Sequence, residues 1–208
     1  MLRIDDSHRG IRLIGLDRAA KRNAIGVEMT LALEACLMQL RHRADLYAVV
    51  FHGIGGHFSA GMDLKDFFDS SSRNPDELQR ARNATEHWRC HLLRELPQRV
   101  FTAIEGYCLG GALPILQASD VVIAHDQAKL GMPEINFGFV PGGQIVKSVG
   151  LMASNRALSY LALTGKLIDA EQALRWGLVS KVVAQDPLPM ALELAGQWAR
   201  QASLTQAQ

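Results

Sequence analysis

Apolar and polar positions alternate through "GIRLIGLD", residues 10 to 17, with the two-residue period of a strand. The period then changes. Met29, Ala32, Leu33, Cys36, Leu37 and Leu40 recur on one face of a helix, so a strand followed by an amphipathic helix opens the chain. A second strand, "LYAVVFHG", runs into the glycine-rich "GIGGHFSAGMDLKDFF", whose end predicts a short helix. "DSSSRNPDE" is a polar break, and Pro75 opens a longer helix with Leu78, Ala81, Thr85, Trp88, Leu92 and Leu96 on one side. Two β-rich runs, "RVFTAIEG" and "DVVIAHD", flank the segment "YCLGGALPILQAS". From Gly143 onward the pattern is mostly helical, with one further apolar run at "LVSKVV" and a last helix expected from about Pro189 into a polar tail. Repeated strand and helix units predict an α/β protein whose buried strands are covered by helices.

Composition narrows the function classes. The 208 residues are 48% hydrophobic and 21% charged with a formal net charge of +1, the profile of one soluble globular core. No basic block interleaves with aromatics, so neither nucleic acid nor a membrane surface is an expected partner, and a small molecule or another protein chain is. Cys36, Cys90 and Cys108 lie far apart in apolar surroundings, which predicts reduced core thiols and a cytoplasmic location. The first ten residues carry acidic groups and lack the apolar core of a secretory signal.

Three stretches could carry chemistry. In "GYCLGGALP", a helix beginning near Gly111 would leave its first N–H groups without intrahelical acceptors, and Gly110 and Gly111 would let a ligand oxygen approach them. Pro114 suits that first turn, where a missing N–H loses nothing. In "HFSAGMDLK", Ala60, Gly61 and Met62 enter a second helix start with Asp63 in its first turn, and its N–H groups could face the first site. In "LGMPEINFGFVPGG", Glu134 sits between Pro133 and the apolar Ile135, Phe137 and Phe139. Buried there, it would have a raised pKa and exchange protons near neutrality. Taken alone, the two glycine stretches read first as structural turns, and Glu134 reads equally well as a surface glutamate before a turn. His87 and His91 have the spacing of a helical metal pair, but "HWRCH" lacks the HExxH glutamate and a third ligand, so no metal is expected.

Taken in order, "KRNAI" (21–25), "HFSAGMDLK" (57–65), "EGYCLGGALPILQASDVVIA" (105–124), "KLGMPEINFGFVPGG" (129–143) and "TGKLIDAEQALRWGLVSKVV" (164–183) resemble the enoyl-CoA hydratase/isomerase, or crotonase, family. Within it the chain looks most like the hydroxycinnamoyl-CoA (feruloyl-CoA) hydratase-lyases. The resemblance implies a crotonase-like spiral of repeated ββα units with a shortened C-terminal helical region. Residues 1–185 would form the acyl-CoA core, and 186–208 would begin the helical region. It also implies a homotrimer or dimer of trimers, and coenzyme A only as part of a thioester substrate, with no permanently bound cofactor.

Carried over residue by residue, the backbone N–H groups of Met62 and Gly111 would form an oxyanion hole and Glu134 would be the acid/base. Lys21 and Arg22 would lie near the CoA phosphates. Ala60, Met62, Asp63 and Leu64, with Gly110 and Gly111, would line the path of the thioester, and Phe67, Pro114, Pro133 and Phe137 would meet the acyl group. Pro114 stands where ordinary hydratases of the family have their second glutamate and the lyases have serine. Phe67 and Phe137 replace a tyrosine and a tryptophan of the lyases, so the phenol contact of a hydroxycinnamoyl group is lost. Family members continue for about fifty residues more, about two helices of ordinary length. The expected reaction is hydration, with possible retro-aldol cleavage, of an aromatic or bulky enoyl-CoA. Isomerisation of a 3-enoyl to a 2-enoyl-CoA, and a CoA-binding subunit with little catalysis, are the alternatives.

Overall fold

The computed structural model describes residues 1–68, 74–142 and 144–206. The polar break expected at "DSSSR" and the residue Gly143 lie outside the described residues, as does the end of the polar tail.

The apolar runs form a six-stranded sheet in the order β1 (Leu2–Asp5), β2 (Ile11–Leu16), β3 (Ala48–Gly53), β4 (Arg99–Ile104), β6 (Val121–His125) and β9 (Lys181–Val183). All neighbours are parallel except the pair β1 and β2. Three-residue strands β5 (Tyr107–Leu109), β7 (Lys129–Gly131) and β8 (Leu167–Asp169) make a second, smaller sheet. From β4 onward the chain steps between the two sheets, the spiral that the resemblance implies.

Side chains alternate across the large sheet. Val49 and Phe51 of β3 enter the main core, while Ala48 and Val50 face the other side. Both faces are covered, so β3 reads as a continuous apolar run, as strands of buried parallel sheets do. The first face packs under α1 (Val27–Leu40) and the helical turn Trp88–Leu92, and α3 (Pro75–His87) lies outside them against α1. The second is covered by α8 (Pro187–Gln206), which starts two residues earlier than the sequence predicts. Its Ala191, Ala195 and Ala199 lie against Ile11, Ala48, Val50, Phe101, Ala103 and Ile123. The last helix therefore belongs to the core layer.

The remaining helices are short: α2 (Leu64–Phe68), α4 (Leu113–Ala118), α5 (Ile145–Met152), α6 (Asn155–Thr164) and α7 (Ala170–Arg175). Local chemistry sets their ends. Asn74 caps α3 by accepting from Asp76 N–H at 2.8 Å with Pro75 in the first turn, and Asp169 caps α7 through Gln172 N–H at 2.7 Å. After His87 the backbone widens into a π turn, Trp88–Leu92, and the extra residue shifts the helical phase there.

Candidate active site

A loop with no side-chain function of its own builds the first wall. Residues 58–63 lie between two neighbours as an irregular strand: Phe58 and Ser59 N–H groups donate to Glu105 and Tyr107 carbonyls at 2.8 Å, and Leu109 N–H donates to Ser59 O at 3.0 Å. On the other side Ile25 N–H donates to Gly61 O at 2.7 Å and Asp63 N–H to Ile25 O at 3.0 Å. In a parallel bridge of this kind the residue between the two bonds, Met62, turns its own N–H away from Ile25. Asn23, fully buried, locks the corner by donating to Ile54 O at 2.9 Å and His57 O at 2.6 Å.

The second wall is the strand-to-helix turn. Gly110–Ala112 form a 3-10 turn leading into α4, and Gly111 N–H, in its first turn, has no intrahelical acceptor. Met62 N lies 3.2 Å from the position a Cβ on Gly111 would occupy, so the two N–H groups are neighbours. A side chain on Gly111 would also strike Arg89 and the Met62 side chain, which is the physical reason for glycine there. Gly110 has φ of 45°, a left-handed conformation, and a Cβ on it would run into Glu134 Oε1.

Glu134 comes from the 3-10 turn Pro133–Phe137, held to the end of α6 by Asn136 Nδ2 donating to Gly165 O at 3.1 Å. Its Oε2 is buried without a hydrogen-bond partner. Desolvation raises the Glu134 pKa above the ordinary carboxylate value, against the lowering effects of its own backbone and of Arg89.

These groups share one cavity of about 720 Å³. Ala60, Met62, Leu64, Phe67, Gly110, Gly111, Pro133, Glu134 and Phe137 all line it. Phe67 is 5% exposed at its floor, whereas Phe137 is 64% exposed at its mouth. Four expected site residues lie outside the lining of this cavity. Pro114 is buried in the first turn of α4 and does not line the cavity. Asp63 is also outside it: its carboxylate pairs with Arg18 at 2.8 Å and receives Asp66 N–H at the start of α2. Lys21 and Arg22 are exposed outside the lining, with the Arg22 guanidinium 5.4 Å from the centre of the Tyr107 ring.

One wall was not foreseen. Arg82, Thr85, Glu86, Arg89 and Cys90, on α3 and the π turn, face the cavity. Arg89 is 3% exposed, and its Nη2 donates to Gly111 O at 2.8 Å and touches Met62 Sδ at 2.7 Å. Burial lowers its pKa to about 10, so it remains a cation at neutral pH. The helical spacing of Arg82, Glu86 and Arg89 was the available signal, overshadowed by the two histidines beside it. His87 meanwhile pairs with Glu34 at 2.8 Å. Among the described residues no group of three or more His, Cys, Asp or Glu could hold a metal, and no helix is long and apolar enough to cross a membrane.

The fold and the paired loops frame one cavity, and comparison with known proteins says which class of protein carries it. A family model described as enoyl-CoA hydratase/isomerase matches residues 6–208, and the chain belongs to that family of enzymes. It is 32% identical over 192 residues to a hydroxycinnamoyl-CoA hydratase-lyase of Pseudomonas fluorescens, covering 92% of this chain and 68% of the relative. It is also 32% identical to the mevalonyl-coenzyme A hydratase sidH of Aspergillus fumigatus, covering 89% and 67%. The crystal structure of an enoyl-CoA hydratase from Bacillus anthracis superposes with a TM-score of 0.85 at 28% identity, over 95% of this chain and 76% of that one.

Proposed function

We propose that the protein binds a coenzyme A thioester in this cavity and stabilises its enolate with the backbone N–H groups of Met62 and Gly111, Glu134 serving as the single acid/base. The observation that carries this is the placement of the half-buried Glu134 carboxyl against Gly110, its Oε2 buried without a hydrogen-bond partner, beside two neighbouring N–H groups. In hydration, Glu134 takes a proton from water as the oxygen adds to Cβ. The electron pair of the double bond moves onto the thioester oxygen, and Glu134 then returns the proton to Cα. In the cleavage direction it takes the β-hydroxyl proton, the Cα–Cβ bond breaks to release an aldehyde, and the enolate is protonated at Cα. Phe67, Phe137 and Phe139 suit an aromatic or bulky acyl group. Exposed Lys21 and Arg22 would meet the CoA phosphates.

A second reaction, 3-enoyl to 2-enoyl isomerisation, is favoured by one fact: Pro114 supplies no second carboxylate, and shuttling one proton between carbons needs only Glu134. A homotrimer would cover exposed apolar side chains, among which Leu151 on α5 and Tyr160 and Leu163 on α6 are candidates. Crotonyl-CoA, feruloyl-CoA and a 3-enoyl-CoA, followed by absorbance and aldehyde release, separate the reactions. Full turnover by Glu134→Gln on the active substrate would sink the assignment, and the mass in solution tests the trimer.

A further inference from the structure

We infer that Arg89 is a positioning residue for the enolate: it ties the two oxyanion loops together and places a buried positive charge behind them, balanced only when the thioester oxygen becomes negative. This rests on the enolate chemistry proposed above. The guanidinium is almost wholly buried, yet both groups that Nη2 touches, Gly111 O and Met62 Sδ, are neutral, and the Trp88 ring, 4.9 Å from Cζ, gives a cation–π contact but no counter-charge. Nε is buried with no acceptor, and among the described residues no carboxylate pairs with Arg89. A charge removed from water without a counter-charge is held at a cost that an apolar side chain of the same length would avoid. The placement is specific. The π turn carries Arg89 against Gly111, so close that a Cβ on Gly111 would collide with Nη2. Glu134, the nearest carboxyl with which its charge interacts, stands outside ion-pair distance and is itself biased toward the neutral acid. The negative charge that would complete the site is the one the reaction creates beside Met62 N and Gly111 N.

Acetoacetyl-CoA makes this measurable, because its acidic Cα proton leaves to solvent and the electron pair delocalises onto the thioester oxygen, giving a near-ultraviolet enolate band. The wild-type chain is expected to bind it largely as the enolate. Arg89→Met should lower the bound enolate fraction at least tenfold while leaving the Kd for butyryl-CoA, which forms no comparable enolate, within about twofold of wild type. Arg89→Lys should recover part of the band, and with Arg89→Gln it carries the comparison if the methionine variant does not fold. A wild-type band that survives Arg89→Met, or that falls only in step with butyryl-CoA affinity, overturns the inference. Glu134→Gln separates the two claims: it should keep the band and lose turnover. Undiminished turnover there would defeat the assigned acid/base and leave Arg89 to be judged on the band, whereas a wild-type chain that binds acetoacetyl-CoA with no enolate overturns both.

Discussion

Buried charges are treated in opposite ways in two regions of this protein. In the seam between α1 and α3, Glu34 is 5% exposed but accepts from Arg80 and pairs with His87. Desolvation alone would raise its pKa, and those two partners outweigh it, so the carboxyl stays below the ordinary range. Likewise Arg12, 7% exposed on β2, donates twice to Asp6, at 2.8 and 2.6 Å. In the cavity, Arg89 and Glu134 have no such partners, and burial shifts each toward its neutral form. Ion pairs that hold elements together are closed internally. The site leaves its charges incompletely answered, the condition under which a substrate can answer them.

The largest test of that contrast removes the open carboxyl. Glu134→Gln is expected to lower kcat by about 10²- to 10⁴-fold, the usual range for a general acid/base, in the absorbance assay. Its folded pKa is raised, so its contribution to stability is fully present below the unfolded pKa and is lost as pH rises through the folded value. The same variant should therefore melt higher than wild type at neutral pH, and a lower Tm would contradict the unpaired state of Glu134. Next, Gly110→Ala keeps every side chain of the site but must displace Glu134, and a fall in kcat on the order of 10²-fold is expected with folding intact by circular dichroism.

Glu34→Gln tests the closed region. Its depressed pKa gives stability that is present above the unfolded value and lost as pH falls through the folded one. Because Arg80 and His87 are themselves half-exposed, their stranded charges are partly solvated, and the loss should be about 1 kcal/mol, or about 2–4 °C in Tm, with kcat unchanged. The smallest effect is in the pH profile. The acid limb of kcat/KM for hydration, which needs ionised Glu134, should lie above the usual carboxylate range, and Arg89→Met should move it higher still because the cation lowers that pKa.

Much of this was legible beforehand. Long periodic segments gave α1, α3, β2, β3, β4 and β6, and the glycines of two loops marked the walls of the cavity. What escaped has physical causes. Strands β5, β7 and β8 have three residues each, too few to establish a period. β1, largely exposed at the sheet edge, alternates Leu2 and Ile4 with Arg3 and Asp5 over only four residues, too short a run to establish a period. The sequence marked α8 as a helix but not its place on the sheet, because the residues it buries fully are alanines, small enough to sit tightly on a sheet without a strong stripe. Arg89 escaped because an arginine among histidines on a helix reads as a solvated face, and only packing reveals a buried cation. Pro114 was legible as a helix-start residue and not as a residue outside the cavity.

The bridge between Ile25 and Met62 has a further consequence. Strand alternation, and not the identity of the side chain, aims the N–H of residue 62, so Met62→Leu would keep the donor and lose only the sulfur beside Arg89. Point substitution reaches a backbone group poorly. A lineage carrying this loop could exchange side chains around the cavity, and with them its acyl preference, while the part that handles the thioester oxygen stays out of mutational reach.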